Sequence, residues 1–397
     1  MLVLALVLAM ILLLWAAVLL VFGRPLWARW REPVLIRPVL IIESDDWGAG
    51  PLAQADALKR LAGLLQGIRD SSNHPAVMTL GVILEVPDGP RMAASGATQY
   101  HGLPLTAPTF DTVREAIYSG IAAGVFSPQL HGQCHYWPPA LMTAATTDVT
   151  VRNWLASADP ATTENLPSVL QSRWVDASTL PSHALAPEVI QQAVVEEAAC
   201  FQQVFGHAPK VAVATTFVWN DEVESAWAQA GVDVVITPGR RATCRDAMGT
   251  PACEDGVSLS GEHSLAGQTY LVRDVYFEPA LGHLPQRLLD GLLMRQRQGR
   301  ACLVETHRFN FMQHPEAGYA VLESALKSAL QACPELRFMA PLQLAQAIKA
   351  RDPLWTETRF KPRLAAWLAR LDEIPRFRRV ARLTGLALPL AWLECLQ

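Results

Sequence analysis

The chain has 397 residues, a formal net charge of −4 at pH 7 and a pI of about 6.2. That length admits one large α/β domain or two average ones, and the weak negative charge offers a nucleic-acid partner no electrostatic hold. Hydrophobic residues make up 51% of the chain and the mean hydropathy is +0.17, a surplus that points to a membrane segment.

The N-terminus supplies that segment. Residues 2–22 (LVLALVLAMILLLWAAVLLVF) carry no charge and no proline. At 1.5 Å per residue such a run crosses a hydrocarbon core of about 30 Å. No Lys or Arg precedes it, and the exit GRPLWARW lacks a small-x-small cleavage site, so a single-pass uncleaved anchor is expected. Arg24, Arg29 and Arg31 follow the run, and the positive-inside rule then puts the body on the cytoplasmic side. Seven cysteines (134, 200, 244, 253, 302, 333 and 395) are scattered and odd in number, which gives no disulfide framework. Cys244 and Cys253 are near enough to pair across a short loop, but a reduced pair is the expectation, again leaning cytoplasmic.

Beyond the anchor, strand-like and helical stretches alternate. A nearly continuous apolar run over 34–44 reads as a buried parallel strand, followed by a helix over 51–68, a strand over 76–84, a helix over 111–123 and a strand over 125–130. Residues 138–181, rich in Thr, Ser, Ala and Pro, break the rhythm as an insertion with one or two short helices. Alternation resumes with a helix over 187–205, a strand over 210–217, a helix over 221–230 and a strand over 232–237. After a loop holding Cys244 and Cys253 come a strand over 269–277, a helix over 285–298, a strand over 301–306, a helix over 317–333, a strand over 337–340 and a helix over 342–350. Seven or eight strands, each followed by a helix, predict a parallel (β/α) barrel over 33–350, with an open doubly wound sheet as the alternative. No Gly-rich phosphate loop follows the first strand. The tail over 351–397 carries Arg359, Lys361, Arg363, Arg370, Arg376, Arg378, Arg379 and Arg382, then LTGLALPLAWLECL, with Trp355, Trp367 and Trp392 interleaved. It suits either an anionic membrane surface or helices packed on the barrel.

Chemistry-bearing residues fall where the strands end. Asp45 and Asp46, in SDDWG, follow the first strand, and strand carboxyl ends are where α/β active sites form. Taken alone, the pair reads more readily as helix caps. His131 and His135, in HGQCH, are four residues apart and share a face if the segment is helical. Two imidazoles and a carboxylate leave open coordination positions, as a catalytic metal requires; Zn²⁺ suits them, and Co²⁺, Mn²⁺ or Fe²⁺ fit the same set. Cys134 points elsewhere on a helix and reads as a bystander. His307, in LVETHR, follows a late buried strand and is placed to donate a proton, with Glu305 and Arg308 beside it.

The order of these motifs resembles the polysaccharide deacetylase family (NodB-homology, carbohydrate esterase type), over roughly residues 34–350. The resemblance implies a distorted (β/α) barrel and divalent-metal removal of N- or O-linked acetyl groups from a polysaccharide or sugar. It implies Asp45 as general base, Asp46, His131 and His135 as metal ligands, and His307 as general acid. The chain departs from the family pattern in Glu43 and Ser44 before the aspartates, Trp47 before Gly48, and Gly132 after the first histidine. The family's third motif, with an Arg and a Pro that brace the base, corresponds to TTFVWNDE, which has neither; Asn220 stands at its end. The brace is then expected from Arg273 or Arg308, and Asp274 is a candidate to tune His307. A polysaccharide substrate would fit the outer side of the membrane better than the charge pattern does, so the side stays open. Two other readings remain: a non-catalytic membrane-bound glycan-binding or assembly protein, and a glycosidase using two of Glu43, Glu278 and Glu305.

Overall fold

A computed structural model describes residues 2–160, 162–313 and 315–395; the last two residues of the tail lie outside the described residues. The apolar run forms the helix Leu2–Val21, in which only Val18 is buried, so it is not a core helix of the body but one long and apolar enough to cross a membrane. A short helix, Gly23–Arg31, leads from it into the body.

The body is built on one parallel sheet: β1 (Val39–Gly48), β2 (Met78–Ile83), β3 (Phe126–Leu130), β4 (Val211–Val213), β5 (Val234–Thr237), β6 (Thr269–Val272), β7 (Val275–Tyr276), β8 (Cys302–His307) and the short β9 (Arg337–Phe338). Its order is β6-β5-β4-β3-β2-β1-β8-β7, with β9 also on β1. The two ends of that order, β6 and β7, are halves of a single extended segment. β6 pairs with β5, β7 pairs with β8, and only Arg273 and Asp274 lie between them. The chain itself therefore closes the sheet into a distorted barrel, as the alternation predicts.

Strand periodicity sorts side chains into an outside and an inside. Leu40 and Ile42 of β1 and Val304 of β8 join the large core beneath the surrounding helices, where Leu58, Leu61 and Leu65 of the helix Gln54–Gly67 are fully buried. Val39, Ile41, Val211, Val213, Val234, Ile236, Leu271 and Leu303 belong to a second cluster that fills the barrel from its strand-start end. The same alternation then carries Glu43, Asp45, Glu305, His307, Gln129, His131 and Arg273 onto the interior face toward the strand ends. An apolar plug thus lies under a polar layer, and the chemistry sits above both.

Three sequence expectations are corrected. Residues 131–135 are not helical but a turn, with Gly132 at φ 103°, so the two histidines converge by loop geometry. Cys244 and Cys253 form a disulfide, closing the hairpin of Cys244–Arg245 with Pro251–Ala252. A second excursion precedes the expected insertion: Glu85–Pro87 pairs with Gly102–Pro104 around the helix Gly89–Ala94, and it packs with Cys134, Tyr136 and the insertion helices Pro138–Thr147 and Val149–Leu155.

The tail forms the helices Phe360–Arg370, Phe377–Leu383 and Ala387–Cys395. Arg370, fully buried, fastens them to the base of the barrel by donating to the carbonyls of Gln298, Arg29, Glu32 and Pro33 at 2.7–3.1 Å. Arg300 lies beside it, bound to Glu32 and Glu373. Replacing a buried guanidinium strands several carbonyls without partners, so R370M should lower unfolding free energy by roughly 3–5 kcal/mol in denaturant titration of the detergent-solubilised chain, with R370K losing less.

Candidate metal centre and its catalytic neighbours

Asp45 and Asp46 lie not after β1 but inside a bulge of it. Ser44 pairs with Leu80 while Trp47 pairs with Val82, so β1 carries one residue more than β2 at this point. Asp46 takes up the extra length in a left-handed conformation, φ 73°. A bulge re-aims side chains, and here it brings two successive carboxylates to one barrel mouth instead of opposite faces. Trp47, buried, holds the far side of the bulge by donating to Ser44 Oγ at 2.8 Å and stacking on Phe311. Gly81 stands opposite the bulge on β2, and a Cβ there would collide with the Asp45 carboxylate.

The Asp46, His131 and His135 ligand atoms lie within 4.8 Å of one another, and all three residues are buried. His135 Nε2 is 3.4 Å and His131 Nε2 3.6 Å from Asp46 Oδ1, which has no hydrogen-bond partner. Metal–ligand bonds of about 2.1 Å in tetrahedral array put ligands about 3.4 Å apart, so the spacing fits a shared cation. His131 Nδ1 is 3.0 Å from the Val213 carbonyl, which makes Nδ1 the protonated nitrogen and turns the Nε2 lone pair toward the centre. Burial drives the His135 pKa down to about 4, leaving a neutral imidazole. The residues fit a divalent ion. Cys134 is outside the group: its thiol points at Glu85, 3.5 Å away, and burial pushes its pKa up.

Arg273 braces Asp45. Fully enclosed, it donates to Asp45 Oδ2 at 2.5 Å and to Glu43 Oε2 at 2.6 Å. Burial opposes ionisation of Asp45, but the charges of Arg273, His131 and His307 hold its pKa below the ordinary carboxylate range. Burial instead raises the pKa of Glu43, which also receives Gln129 Nε2 at 3.0 Å. Arg308 braces nothing here; its guanidinium is bound at 2.9 Å to Glu164 of the insertion. Asn220 caps the helix Asp221–Gln229, accepting from the Val223 amide.

His307 stands beside Asp45 in the β1–β8 register. Its Nδ1 is 2.5 Å from Glu278 Oε1, and Glu278 is held in turn by Asn310 Nδ2. Burial disfavours the charged ring, but the Glu278 hydrogen bond and the charges of Asp46, Glu278 and Asp45 raise its pKa to about 10. Asp274 does not tune it; that carboxylate pairs with Arg295 at 2.9 Å. Glu278 is the partner that motif spacing misses, because it follows β7 with no pattern around it. Glu197 is another, accepting from the Gln133 amide at 3.0 Å and from Trp227 Nε1 at 2.9 Å, which fixes the histidine loop.

No known protein family and no curated protein matches the chain. Among solved structures it is similar to a family 4 carbohydrate esterase from Streptomyces lividans in complex with acetate, at 11% identity over 76% of this chain and 91% of that one, TM-score 0.36. A peptidoglycan deacetylase from Bacillus subtilis has 11% identity over 81% and 95%, TM-score 0.35. A 4-alpha-glucanotransferase from Thermococcus litoralis has 10% identity over 87% and 48%, TM-score 0.39. These likenesses concern the course of the chain alone.

Two outcomes follow from the geometry. G81A should displace the Asp45 carboxylate from Arg273 and, by breaking a buried ion pair, lower the unfolding free energy by about 3–5 kcal/mol in denaturant titration, with any hydrolytic turnover of the site falling at least tenfold. E278Q removes the charge that keeps His307 protonated, so any alkaline limb of the pH–rate profile set by His307 should move to lower pH.

Proposed function

We propose that the protein is a membrane-anchored, metal-dependent hydrolase that removes acetyl groups from a polysaccharide or sugar. The observation that carries this reading is the meeting, at one barrel mouth, of a ligand triad, a braced carboxylate and a carboxylate-held imidazolium. Asp46, His131 and His135 would hold the cation. When bound there it would supply Lewis-acid polarisation of an acetyl carbonyl and of a water molecule.

The remaining steps belong to the chain's own groups. Asp45, ionised and fixed by Arg273, takes the proton of the attacking water. Its depressed pKa makes it a modest base in bulk terms, so its position contributes more than its basicity. His307, protonated and oriented by Glu278, delivers a proton to the departing nitrogen or oxygen. Zn²⁺ suits this donor set, with Co²⁺, Mn²⁺ and Fe²⁺ as alternatives.

The glycosidase reading loses support, since Glu43 is engaged with Arg273 and Glu278 with His307. A non-catalytic glycan binder would have little use for either bracing pair. The Cys244–Cys253 disulfide favours an oxidising compartment for the body, against the orientation that Arg24, Arg29 and Arg31 suggest. Arg29 lies 3.4 Å from Glu373, so part of that basic charge is balanced within the body.

Metal analysis of the purified chain, coupled to acetate release from acetylated glycans, tests the assignment. D46A should lose the metal and all turnover. H307Q should keep the metal and lose roughly 10²–10⁴-fold in kcat, the usual range for a general acid. Full turnover by metal-free D46A would overturn the proposal.

A further inference from the structure

We infer that the base of the barrel and the C-terminal helices form a docking face for a bilayer of anionic phospholipid, with residues 383–393 sunk into it beside the anchor. This rests on reading Leu2–Val21 as membrane-spanning and needs nothing from the deacetylase chemistry.

The depth of the tail follows from one hydrogen bond. Trp15 Nε1 of the anchor donates to the Thr384 carbonyl at 2.8 Å. Trp15 lies six residues before Val21, about 9 Å back along the helix axis. The anchor's twenty residues span about 30 Å, the thickness of the hydrocarbon core, so its end marks the core's edge. Thr384 is therefore several ångströms inside that edge. The contact is broad: Trp15, Val18 and Phe22 share an apolar cluster with Phe377, Ala381, Leu386 and Leu390, and the Phe22 and Phe377 rings meet at 5.3 Å.

The uncovered side of the tail has the chemistry of that location. The stretch LTGLALPLAWL, residues 383–393, has no charge, and Leu383, Leu388 and Trp392 are 78%, 76% and 62% exposed. Three apolar side chains so open to water, on a segment held at hydrocarbon depth, are explained by lipid around them. Charge then appears where headgroups would be. Arg376, Arg379 and Arg382 are exposed just before the apolar run. Beside the helix that follows the anchor, a cavity of about 910 Å³ is lined by Arg24, Trp27, Arg31, Lys349, Arg351 and Arg363. Trp27, 60% exposed, is six residues beyond Val21, the level of an interfacial aromatic belt. The acids of that cavity are largely engaged: Glu32 with Arg300, Glu357 with Arg359, and Glu262 with the Leu259 amide. The surplus is cationic, which selects anionic headgroups. With this face on the bilayer, β1 rises from it, and Asp45 stands up to roughly 20 Å beyond Val39 at about 3.3 Å per residue. The catalytic mouth then opens away from the membrane.

The test uses the full chain in nanodiscs of phosphatidylcholine with phosphatidylglycerol, doped with a phospholipid carrying a photoactivatable group in its acyl chain. Crosslinked peptides mapped by mass spectrometry should include 383–393 as well as 2–21. L388D/W392D should lose the tail crosslinks and keep those of the anchor. The thermal midpoint of the body should be higher in these discs than in phosphatidylcholine alone, with the gap closing as salt rises. Crosslinks confined to 2–21 overturn the inference, as do tail crosslinks to a second copy of the chain or a midpoint indifferent to lipid charge. If 2–21 itself takes no label, the anchor reading has failed instead. The wild-type crosslinks decide the matter even if the double variant does not fold.

Discussion

The site depends on a guanidinium buried between two carboxylates. Arg273 has no exposed surface in its side chain, and it donates to both oxygens of Asp45 and to one of Glu43. Placing three ionisable groups in a barrel interior costs free energy unless each charge is met and each hydrogen bond is made. Here the cost is offset by a bidentate reach: one planar fork spans two layers of the barrel and fixes the proposed base from below. Burial pushes Glu43 and Asp45 the same way, yet their pKa values shift in opposite directions. Asp45 differs in also facing the charges of His131 and His307. The lower carboxylate thus helps hold the guanidinium, while the upper one stays ionised at the mouth.

His307 repeats the same logic with the charges exchanged. The ring's pKa is raised, and its anchor, Glu278, is a fully buried carboxyl group locked by Asn310. Asp45 and His307, side by side in the β1–β8 register, are therefore each held by an oppositely charged kind of side chain. Positioning by charge-assisted hydrogen bonds is stronger than by neutral ones, and it fixes direction as well as place.

Much of this was legible in the sequence. Asp45, Asp46, His131, His135 and His307 all fall at strand carboxyl ends, and the β/α alternation is enough to put those ends on one face. Arg273 was legible as one of two candidates; Arg308 was the other, and the insertion's Glu164 takes it out of the site. What was not legible depended on local geometry without a motif. The bulge at Asp45–Asp46 comes from an unequal count of residues on two strands, which no single strand reveals. The histidine pair suggested a helix by its spacing, yet Gly132 at positive φ makes a turn that serves the same end. Glu278 and Glu197 had no period or partner spacing to mark them. The disulfide leaves no mark of its own, because nine residues of separation permits a pair without requiring one.

Barrel closure and site assembly share one piece of chain. The segment from Thr269 to Tyr276 pairs with β5 through its first half and with β8 through its second, and the break between the halves is at Arg273 and Asp274. A regular strand would have kept its alternation through this point. Alternation from Leu271 carries Arg273 into the interior, Asp274 pairs with Arg295, and the alternation breaks at Val275, which joins the outer core. Two residues beyond β7, Glu278 reaches His307. The segment that seals the barrel therefore also carries the brace of the proposed base and the orienter of the proposed acid. Here one segment carries both, which is why TTFVWNDE can lack an arginine while Asp45 remains braced.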